Sequence, residues 1–445
     1  MNYNERMQKV AVLGAAGKMG SGILLLNAVE VADLSLLPEN KGKTFVVYAI
    51  DVSEEALSGL LKYVKTQVLK IAEKKILWLR EIYKERQDLI ENGEMIEEYI
   101  NHVMSIIRPS IAIESAYNAY CIFEAIKEDP ELKVSVLKKI NENNPNNPWF
   151  FTNTSSIPIQ YLNENAKLNG RIIGYHFYNP PAVQKLVELI EAKDTLPEIK
   201  EFSYHLANKL KKVIVESNDI VGFIGNGHFM RDIIHAANEV ERLEKEHGFV
   251  EALYMINKIS QEYLIRPMGI FQLIDYVGID VCSYIMNVMD KHLANDTIQC
   301  PLLNKLLEQG IKGGQYSDGS QKDGIFKYEK GKIVAIYDIH SKTYIPVDNI
   351  QKAVDEKLGA KPSNLLPWKT IIASKDKEKI LEEIFKELQN LNSLGAELAK
   401  RYGSKSKSIG KYLVSSGVAK SEEDVNKVLM TGFYHAYGPI NSYFD

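Results

Sequence analysis

The stretch Gly14-Ala15-Ala16-Gly17-Lys18-Met19-Gly20 decides how this sequence is expected to fold. It directly follows a predicted strand, Lys9 to Leu13, and opens a predicted helix. Glycines let a backbone turn tightly and approach a pyrophosphate, and the N–H groups at a helix start attract its charge. The stretch therefore predicts a dinucleotide-binding loop whose contacts come from Gly14, Gly17, Lys18, Met19 and Gly20.

A carboxylate after the next predicted strand supports this interpretation. Phe45 to Ile50 is that strand, and Asp51 follows it, placed to accept both ribose hydroxyls of NAD. A 2'-phosphate would meet this carboxylate and no nearby arginine, which favours NAD over NADP. The spacing from the loop to Asp51 exceeds the usual 20 residues or so, which indicates an insertion, Ala32 to Thr44. The alternative is a glycine-rich turn that only packs a helix on a strand.

The first half of the chain alternates short strands with amphipathic helices, the pattern of a parallel sheet flanked by helices. A Lys/Glu-rich stretch at about 54–107 has apolar residues at helical spacing and is interpreted as an inserted helical arm. The fold class is therefore α/β, with a Rossmann-type doubly wound domain predicted over residues 1–217. Its further strands are expected at Ala119 to Phe123, Trp149 to Thr152, Arg171 to Tyr175 and Val213 to Glu216.

From about Val221 onward helical patterns dominate, apart from a Gly/Lys-rich passage at 313–332 and a short β-like run, Ile333 to Tyr337. Phe249 to Gly278 and Gly417 to Asp445 echo each other faintly. This echo indicates a repeated helical unit, with coincidence between helices as the alternative. An all-helical C-terminal domain is predicted at 218–345, and a second, degenerate helical repeat at 346–445.

Composition excludes several classes of function. A net charge of -4 over 445 residues gives no global field to gather nucleic acid. Cys121, Cys282 and Cys300 share no spacing typical of disulfide frameworks or zinc sites, so no metal is expected. The start has no apolar signal core, and no run approaches the roughly 18 apolar residues of a membrane span. We therefore expect a cytoplasmic protein without a nucleic-acid partner.

Two later segments carry residues suited to acid–base chemistry. His176 lies at the C-terminal end of a predicted strand, where open α/β sheets place their ligands. Glu188 lies within the apolar run Leu186 to Ile190, and a buried carboxylate is costly unless it is paired. An imidazole partner would give a base whose tautomer and charged form the carboxylate supports. The alternative is a core histidine and a surface glutamate.

Polar groups in two other segments are candidates for hydrogen bonds to a substrate oxygen. Asn153-Thr154-Ser155-Ser156 follows another predicted strand, and Gly222-Phe223-Ile224-Gly225-Asn226 opens the helical part. Helix caps are the ordinary alternative for such residues.

Taken in order, these segments resemble the L-3-hydroxyacyl-CoA dehydrogenase family. The resemblance covers about residues 8 to 290 and includes the glycine loop, 153–156, 176–180, 185–188, 222–226, 267–269 and 273–278. The run Glu124 to Lys133 is similar to the family's segment near the nicotinamide ribose. The resemblance implies reversible, NAD-dependent oxidation of (S)-3-hydroxyacyl-CoA to 3-oxoacyl-CoA, as in fatty-acid β-oxidation.

The resemblance also implies a role for each matching residue. His176 would be the general base, and Glu188 would orient it and stabilise its imidazolium. Ser155 and Asn226 would hydrogen-bond the reacting oxygen, with Ser155 also contacting the coenzyme A substrate. Further cofactor contacts are implied for Asp51, Glu128, Lys133, Asn179 and Lys322.

The helical arm is implied to meet the coenzyme A nucleotide, and Lys74 occupies the best-matching position among its lysines. A solvated lysine face is the alternative. Three departures from the family pattern bear on chain length, coenzyme A contacts and the role of Lys322. Gly227 and His228 follow Asn226 where an arginine is usual, Gln67 replaces a frequent serine, and 321–326 keeps a Gly/Lys-rich segment only loosely.

The second helical repeat resembles that of the fatty-acid oxidation multienzyme subunits. It predicts either a homodimer or a monomer whose helical repeats form an internal pseudo-dimer. No hydratase domain is expected before the first strand, so a separate enoyl-CoA hydratase or thiolase is expected as a partner. Two alternatives stay open, namely a dehydrogenase of a small free hydroxy acid and a silent NAD-binding subunit of a fatty-acid oxidation complex.

Overall fold

An eight-stranded sheet organises the first of the two units into which the chain separates, Met1–Asp219 and Ile220–Asp445. The computed structural model describes residues 1–293, 296–316 and 319–445. The strands lie in the order β3-β2-β1-β4-β5-β6-β7-β8, and every neighbouring pair is parallel except β6 with β7. Their ranges are β1 Lys9–Leu13, β2 Val46–Ile50, β3 Ile107–Ser110, β4 Cys121–Glu124, β5 Trp149–Thr152, β6 Ile172–Phe177, β7 Leu186–Glu191 and β8 Val213–Ser217.

Helices connect these strands, and their starts follow ordinary capping rules. The Ser53 hydroxyl accepts the N–H of Ala56, and the Asp129 carboxylate accepts the N–H of Leu132, which satisfies backbone groups at two helix starts. The helices are α1 Tyr3–Arg6, α2 Gly20–Ser35, α3 Glu54–Lys74, α4 Ile76–Ile82, α5 Asn92–Ile106, α6 Pro130–Asn143, α7 Ile159–Asn165 and α8 Pro197–Lys209. Helices α3 to α5 form the predicted arm.

The structure differs from the expected element bounds in three places. Helix α2 continues to Ser35, so the loop before β2 is shorter than the predicted insertion, Ala32 to Thr44. This loop contains one 3₁₀ turn, Pro38–Asn40. The edge strand β3 is not predicted, because its sequence Ile-Arg-Pro-Ser buries only its first residue. In α3 the buried line includes Leu60 and Ala72, where the sequence pattern had suggested Leu61 and Ile71.

The second unit is mainly helical and also contains a three-stranded antiparallel sheet in the order β11-β10-β9. The sequence predicts only the middle strand of this sheet. The strands are β9 Phe326–Glu329, β10 Lys332–Asp338 and β11 Thr343–Pro346. The helices are α9 Phe223–His247, α10 Phe249–Lys258, α11 Ile270–Val277, α12 Ile279–His292, α13 Pro301–Glu308, α14 Gln351–Leu358, α15 Trp368–Ala373, α16 Lys377–Asn390, α17 Leu394–Ser415 and α18 Glu422–Gly432.

One packing device occurs twice in this unit. The Asn257 side chain accepts backbone N–H groups of residues 271 and 272 and lies against Gly269, where a Cβ would come within 2.2 Å of it. The Asn426 side chain bonds the backbone of Ile440 and lies in the same way against Gly438. Both pairs have the same spacing in sequence, which supports a repeated helical unit. The predicted boundary near residue 345 stays a prediction, because one hydrophobic core includes residues from 221 to 444.

All three cysteines are buried and free. Within the described residues, no helix combines the length and the apolar content that crossing a bilayer requires.

Candidate active site

The loop between β1 and α2 brings its backbone unusually close to neighbouring backbone. Gly14 has φ +70°, and a Cβ there would lie 2.5 Å from the carbonyl oxygen of Ala125. A Cβ on Gly20 would lie 1.9 Å from the carbonyl oxygen of Gly14. Only glycine fits these positions, so the loop is a close-fitting cradle of the kind that a pyrophosphate requires.

The Asp51 carboxylate lies directly beside this loop. One oxygen accepts the N–H of Ala16 at 2.9 Å, and the other accepts the N–H of Val52 at 2.8 Å. Gly17 and Lys18 are exposed at the loop tip, and Met19 is half-buried. A carboxylate held at the end of β2 next to a glycine cradle fits the ribose and pyrophosphate of NAD.

His176 and Glu188 face each other across the only antiparallel pair in the sheet of the first unit, whose residues are all described. Strands β6 and β7 pair with His176 directly opposite Glu188. The imidazole Nδ1 lies 4.0 Å from Glu188 Oε1, which is longer than a hydrogen bond. The Glu188 side chain is fully buried, and 11% of the His176 side chain is exposed. The predicted pair is therefore brought together, with the imidazole close enough to respond to the carboxylate charge.

Tyr178 contacts the same carboxylate. Its hydroxyl donates a hydrogen bond to Glu188 Oε1, and its ring centroid lies 5.0 Å from that of His176. Burial raises the pKa of Tyr178 well above its ordinary value, and the Glu188 charge adds to this effect. Burial lowers the pKa of His176 to about 4, and the Glu128 carboxylate opposes that change. The imidazole is therefore neutral at neutral pH, which is the form that accepts a proton.

Glu128 holds the polar turn that follows β5. Its Oε1 accepts the Thr154 hydroxyl at 2.6 Å, the Ser155 N–H at 2.9 Å, and the Ser156 N–H and hydroxyl at 3.2 and 3.1 Å. The Ser155 hydroxyl lies 3.4 Å from the same oxygen, and this side chain is partly exposed. The Glu128 carboxylate therefore helps to hold Ser155 in position.

Lys133 is 1% exposed and lies between two carboxylates. Its ammonium is 2.5 Å from Glu124 Oε1 and 3.2 Å from Glu128 Oε2. The Thr152 hydroxyl donates to the other Glu124 oxygen at 2.6 Å. Burial by itself would raise the pKa of Glu128, but Lys133 and the hydrogen bonds from the turn hold it below its ordinary value. The structure gives Lys133 a role in positioning Glu128, and its direct contact with the cofactor stays a prediction.

Two further contacts join the ends of neighbouring strands. Asn153 Oδ1 accepts the N–H of Phe177 at 2.8 Å, which ties the turn after β5 to the strand residue next to His176. After β6 the chain turns through the half-buried Asn179. The Lys212 ammonium donates to the carbonyl oxygens of Pro181 and Gln184, each at 2.6 Å, and so secures this turn.

Two predicted site residues belong to the second unit. Asn226 lies partly exposed in the first turn of α9. Lys322 is half-buried, and its ammonium lies 5.3 Å from the ring centroid of Tyr316. The segment that carries Lys322 is held by the fully buried Asp275, whose carboxylate accepts the N–H groups of Ile325 and Phe326 at 2.7 and 2.8 Å. The contacts expected of Asn226 with substrate and of Lys322 with cofactor stay predictions.

The arm places most of its lysines in solvent. Lys74, the predicted coenzyme A contact, is exposed at the last residue of α3. Lys75 is different, because its ammonium pairs with Asp33 and donates to the Tyr99 hydroxyl at 3.3 Å. Lys75 is therefore a structural cation, and Lys74 stays the candidate for a phosphate contact.

Sequence reasoning did not single out three side chains that organise the first unit's site. Tyr178 lies two residues after His176, the spacing that puts two side chains on one face of an extended chain. That spacing was the available signal for Tyr178. Glu124 and Thr152 end their strands, but nothing in the sequence shows that they meet Lys133, because that contact joins separate strands and a helix.

The fold and these residues together define a class of protein. A glycine cradle and Asp51 lie at neighbouring strand ends, an arrangement that suits a dinucleotide, and a neutral histidine near a buried carboxylate lies at another strand end, where it suits proton transfer. This combination is that of an NAD-dependent oxidoreductase.

Two family models match most of the chain. The model described as "3-hydroxyacyl-CoA dehydrogenase, NAD binding domain" matches residues 9–220, and the C-terminal domain of the same family matches residues 222–322. The chain belongs to the 3-hydroxyacyl-CoA dehydrogenase family. It is accordingly an NAD-dependent oxidoreductase that converts 3-hydroxyacyl-CoA, as the sequence predicted.

Similar proteins agree with this assignment. A probable 3-hydroxybutyryl-CoA dehydrogenase of Bacillus subtilis is 32% identical over 313 residues, covering 70% of this chain and 96% of that protein. The human mitochondrial hydroxyacyl-coenzyme A dehydrogenase is 27% identical, over 71% and 91% of the two chains. The structure of 3-hydroxybutyryl-CoA dehydrogenase from Escherichia coli K12 is similar in fold, with a TM-score of 0.63 and 20% identity. That likeness covers 98% of this chain and 90% of the other, so it extends into the tail beyond residue 322.

Proposed function

We propose that His176 is the general base in the oxidation of (S)-3-hydroxyacyl-CoA to 3-oxoacyl-CoA, with Glu188 as its supporting carboxylate. The observation that carries this proposal is the direct cross-strand pairing of the two residues. Nδ1 is the ring nitrogen that lies near Glu188, and the proposal assigns Nε2 to the substrate hydroxyl. Bound NAD supplies the hydride acceptor at its nicotinamide ring. As His176 takes the hydroxyl proton, the nearby carboxylate stabilises the imidazolium.

Ser155 and Asn226 complete the proposed site as hydrogen-bond donors to the reacting oxygen. Ser155 suits this role because Glu128 accepts its N–H at 2.9 Å and so holds the turn in one place. A donor fixed in advance costs no reorganisation when charge develops on the oxygen. Asn226 is assigned by its match to the family motif.

The cofactor is proposed to contact the glycine loop, Asp51, Glu128, Asn179 and Lys322, and the coenzyme A nucleotide to contact Lys74. The reaction is reversible and belongs to fatty-acid β-oxidation or related acyl-CoA metabolism. Either a homodimer or an internal pseudo-dimer of helical repeats is the expected assembly, and a separate hydratase or thiolase is the expected partner. A cytoplasmic location remains part of the proposal.

A His176→Gln variant tests the assignment of the base. The variant keeps a hydrogen-bonding side chain of similar size and removes the titratable nitrogen, so oxidation should fall by about 10²- to 10⁴-fold. The rate is followed by NADH absorbance with 3-hydroxybutyryl-, 3-hydroxydecanoyl- and 3-hydroxypalmitoyl-CoA. NAD binding, followed by titration calorimetry, should change less than about threefold, since binding does not need this proton transfer.

The matched control is His205→Gln on α8, where an exposed histidine packs against the Tyr3 ring outside the site. It should retain the rate of the unmodified enzyme. Undiminished turnover by the His176 variant would show that another group is the base. Free hydroxy acids that react as fast as their thioesters would instead replace the coenzyme A substrate in this proposal.

A further inference from the structure

Two side chains approach one carboxylate oxygen of Glu188 in the candidate site. Glu188 Oε1 accepts the hydrogen bond from the Tyr178 hydroxyl, and it is also the carboxylate oxygen 4.0 Å from His176 Nδ1. The two rings lie side by side, with their centroids 5.0 Å apart and their planes at 41°. The tyrosine therefore donates to the same oxygen whose negative charge would stabilise a protonated His176.

We propose that Tyr178 is a positioning residue that sets the proton affinity of His176 by holding and partly neutralising Glu188 Oε1. The inference rests on the proposed roles of His176 and Glu188, and it adds Tyr178 to this pair as a third residue. Tyr178 needs no contact with substrate or cofactor in this role.

The physical basis is competition for one carboxylate oxygen. A hydroxyl that donates to a carboxylate withdraws negative charge from it and restrains its rotation. With Tyr178 in place, the imidazolium gains less from Glu188 than it would from a carboxylate without this donor. The base is consequently weaker, and it returns its proton more easily in the reverse reaction.

Burial keeps this hydrogen bond in one form across the working range. Glu188 is fully buried, and the tyrosine ring lies against the His176 ring. A phenol next to a buried carboxylate keeps its proton, because its ionisation would place two negative charges together. The hydroxyl therefore acts as a constant donor and does not titrate with the base.

The test is Tyr178→Phe, which removes one oxygen atom and keeps the ring beside His176. The acid limb of kcat/KM for oxidation should move to higher pH by about half a unit or more, since kcat/KM reports the free enzyme. The KM values for both substrates should change less than about twofold, because the hydroxyl does not bind them. The basic limb of kcat/KM for 3-oxoacyl-CoA reduction reports the protonated form of the same imidazole and should move in the same direction.

Tyr175→Phe is the matched control, because it makes the same change at a buried tyrosine of β6, three residues before Tyr178. The Tyr175 hydroxyl lies 3.5 Å from the carbonyl oxygen of Ser203, away from the His–Glu pair. This control should leave both pH limbs in place, even if it lowers thermal stability. The inference would be overturned if the acid limb of the Tyr178 variant lay at the same pH as that of the unmodified enzyme, or at a lower pH.

A double variant separates action through Glu188 from any direct effect. In an enzyme that already carries Glu188→Gln, adding Tyr178→Phe should not move the acid limb of the remaining oxidation activity. If the limb still moves, Tyr178 acts on His176 by another route and the inference fails. A fully active His176→Gln enzyme would show that the proposed base is wrong. An inactive His176→Gln enzyme together with an unshifted Tyr178→Phe profile would remove only the role of Tyr178.

Discussion

At His176, burial and the Glu128 carboxylate act in opposite directions on the affinity of the imidazole for a proton. Burial is the larger effect and lowers its pKa to about 4. The neutral base is therefore present throughout the neutral range. We expect kcat/KM for oxidation to stay nearly level as pH falls from about 7 to 5 and to decline through about 4. Initial rates in buffers of constant ionic strength measure this profile.

The lowered pKa of His176 also makes the stability of the fold depend on pH. The unfolded chain binds this proton with the ordinary pKa of 6.5, so it takes up the proton before the folded chain does. The contribution of His176 to folding is therefore complete above that value and is lost as pH falls towards about 4. An acid limb of oxidation near pH 6.5 or above would show that charge from the neighbouring carboxylates outweighs burial.

At the scale of elements, the contact between β4 and α6 depends on a buried cation. Replacing Lys133 by Met would keep the length of the side chain and leave Glu124 and Glu128 close together without a positive charge. Removing one partner of such a group costs about 3–5 kcal/mol. Urea unfolding followed by circular dichroism should show this loss near neutral pH. The deficit should shrink at acid pH, because Lys133 helps to lower the pKa of Glu128 and the stability that this lowered pKa contributes is lost as pH falls.

Lys138→Met, on the same helix, is the matched control for this experiment. Lys138 is 41% exposed and its ammonium lies 3.9 Å from Glu142, so the control should change stability by less than about 1 kcal/mol. Equal stability of the two variants at neutral pH would show that Lys133 does not hold the turn through Glu128.

Elements with a strong local pattern were predicted well, and those that depend on pairing were not. Strands β1 and β5 have the predicted bounds, because each is a short apolar run with every residue, or all but one, buried. Strand β3 contains an arginine and a proline and exists through its pairing with β2. Strands β9 and β11 are equally unremarkable in sequence and form through their pairing with β10.

At the scale of the whole molecule, a buried ion pair joins distant parts of the second unit. The Arg266 guanidinium donates to Asp232 at 2.7 Å, and their side chains are 8% and 4% exposed. Arg266 also donates to the Ser406 hydroxyl of α17 at 3.3 Å, which lies in the predicted second repeat. The two predicted repeats therefore share both a hydrophobic core and a polar contact inside this unit.

Arg266→Met should destabilise the second unit by about 3–5 kcal/mol, since it leaves Asp232 buried without a cation. Differential scanning calorimetry should show one transition for both repeats, moved to lower temperature. Arg242→Met is the control, because Arg242 is 43% exposed beside Glu239 and should shift the transition little. Separate melting of the residues beyond 345 would instead make the second repeat an independent domain.

The sequence by itself determined the dinucleotide loop, the acidic residue after β2, the strand that ends at His176 and the change to helices near residue 221. These features are local, because glycine spacing, apolar periodicity and strand ends can be recognised within a short window. Only the tertiary structure decided that β7 runs antiparallel to β6, that Tyr178 shares the Glu188 oxygen, and that Lys133 is buried between two carboxylates. Strand direction and side-chain partners depend on contacts between segments far apart in sequence, and a one-residue change of register would turn Glu188 to the other face of the sheet.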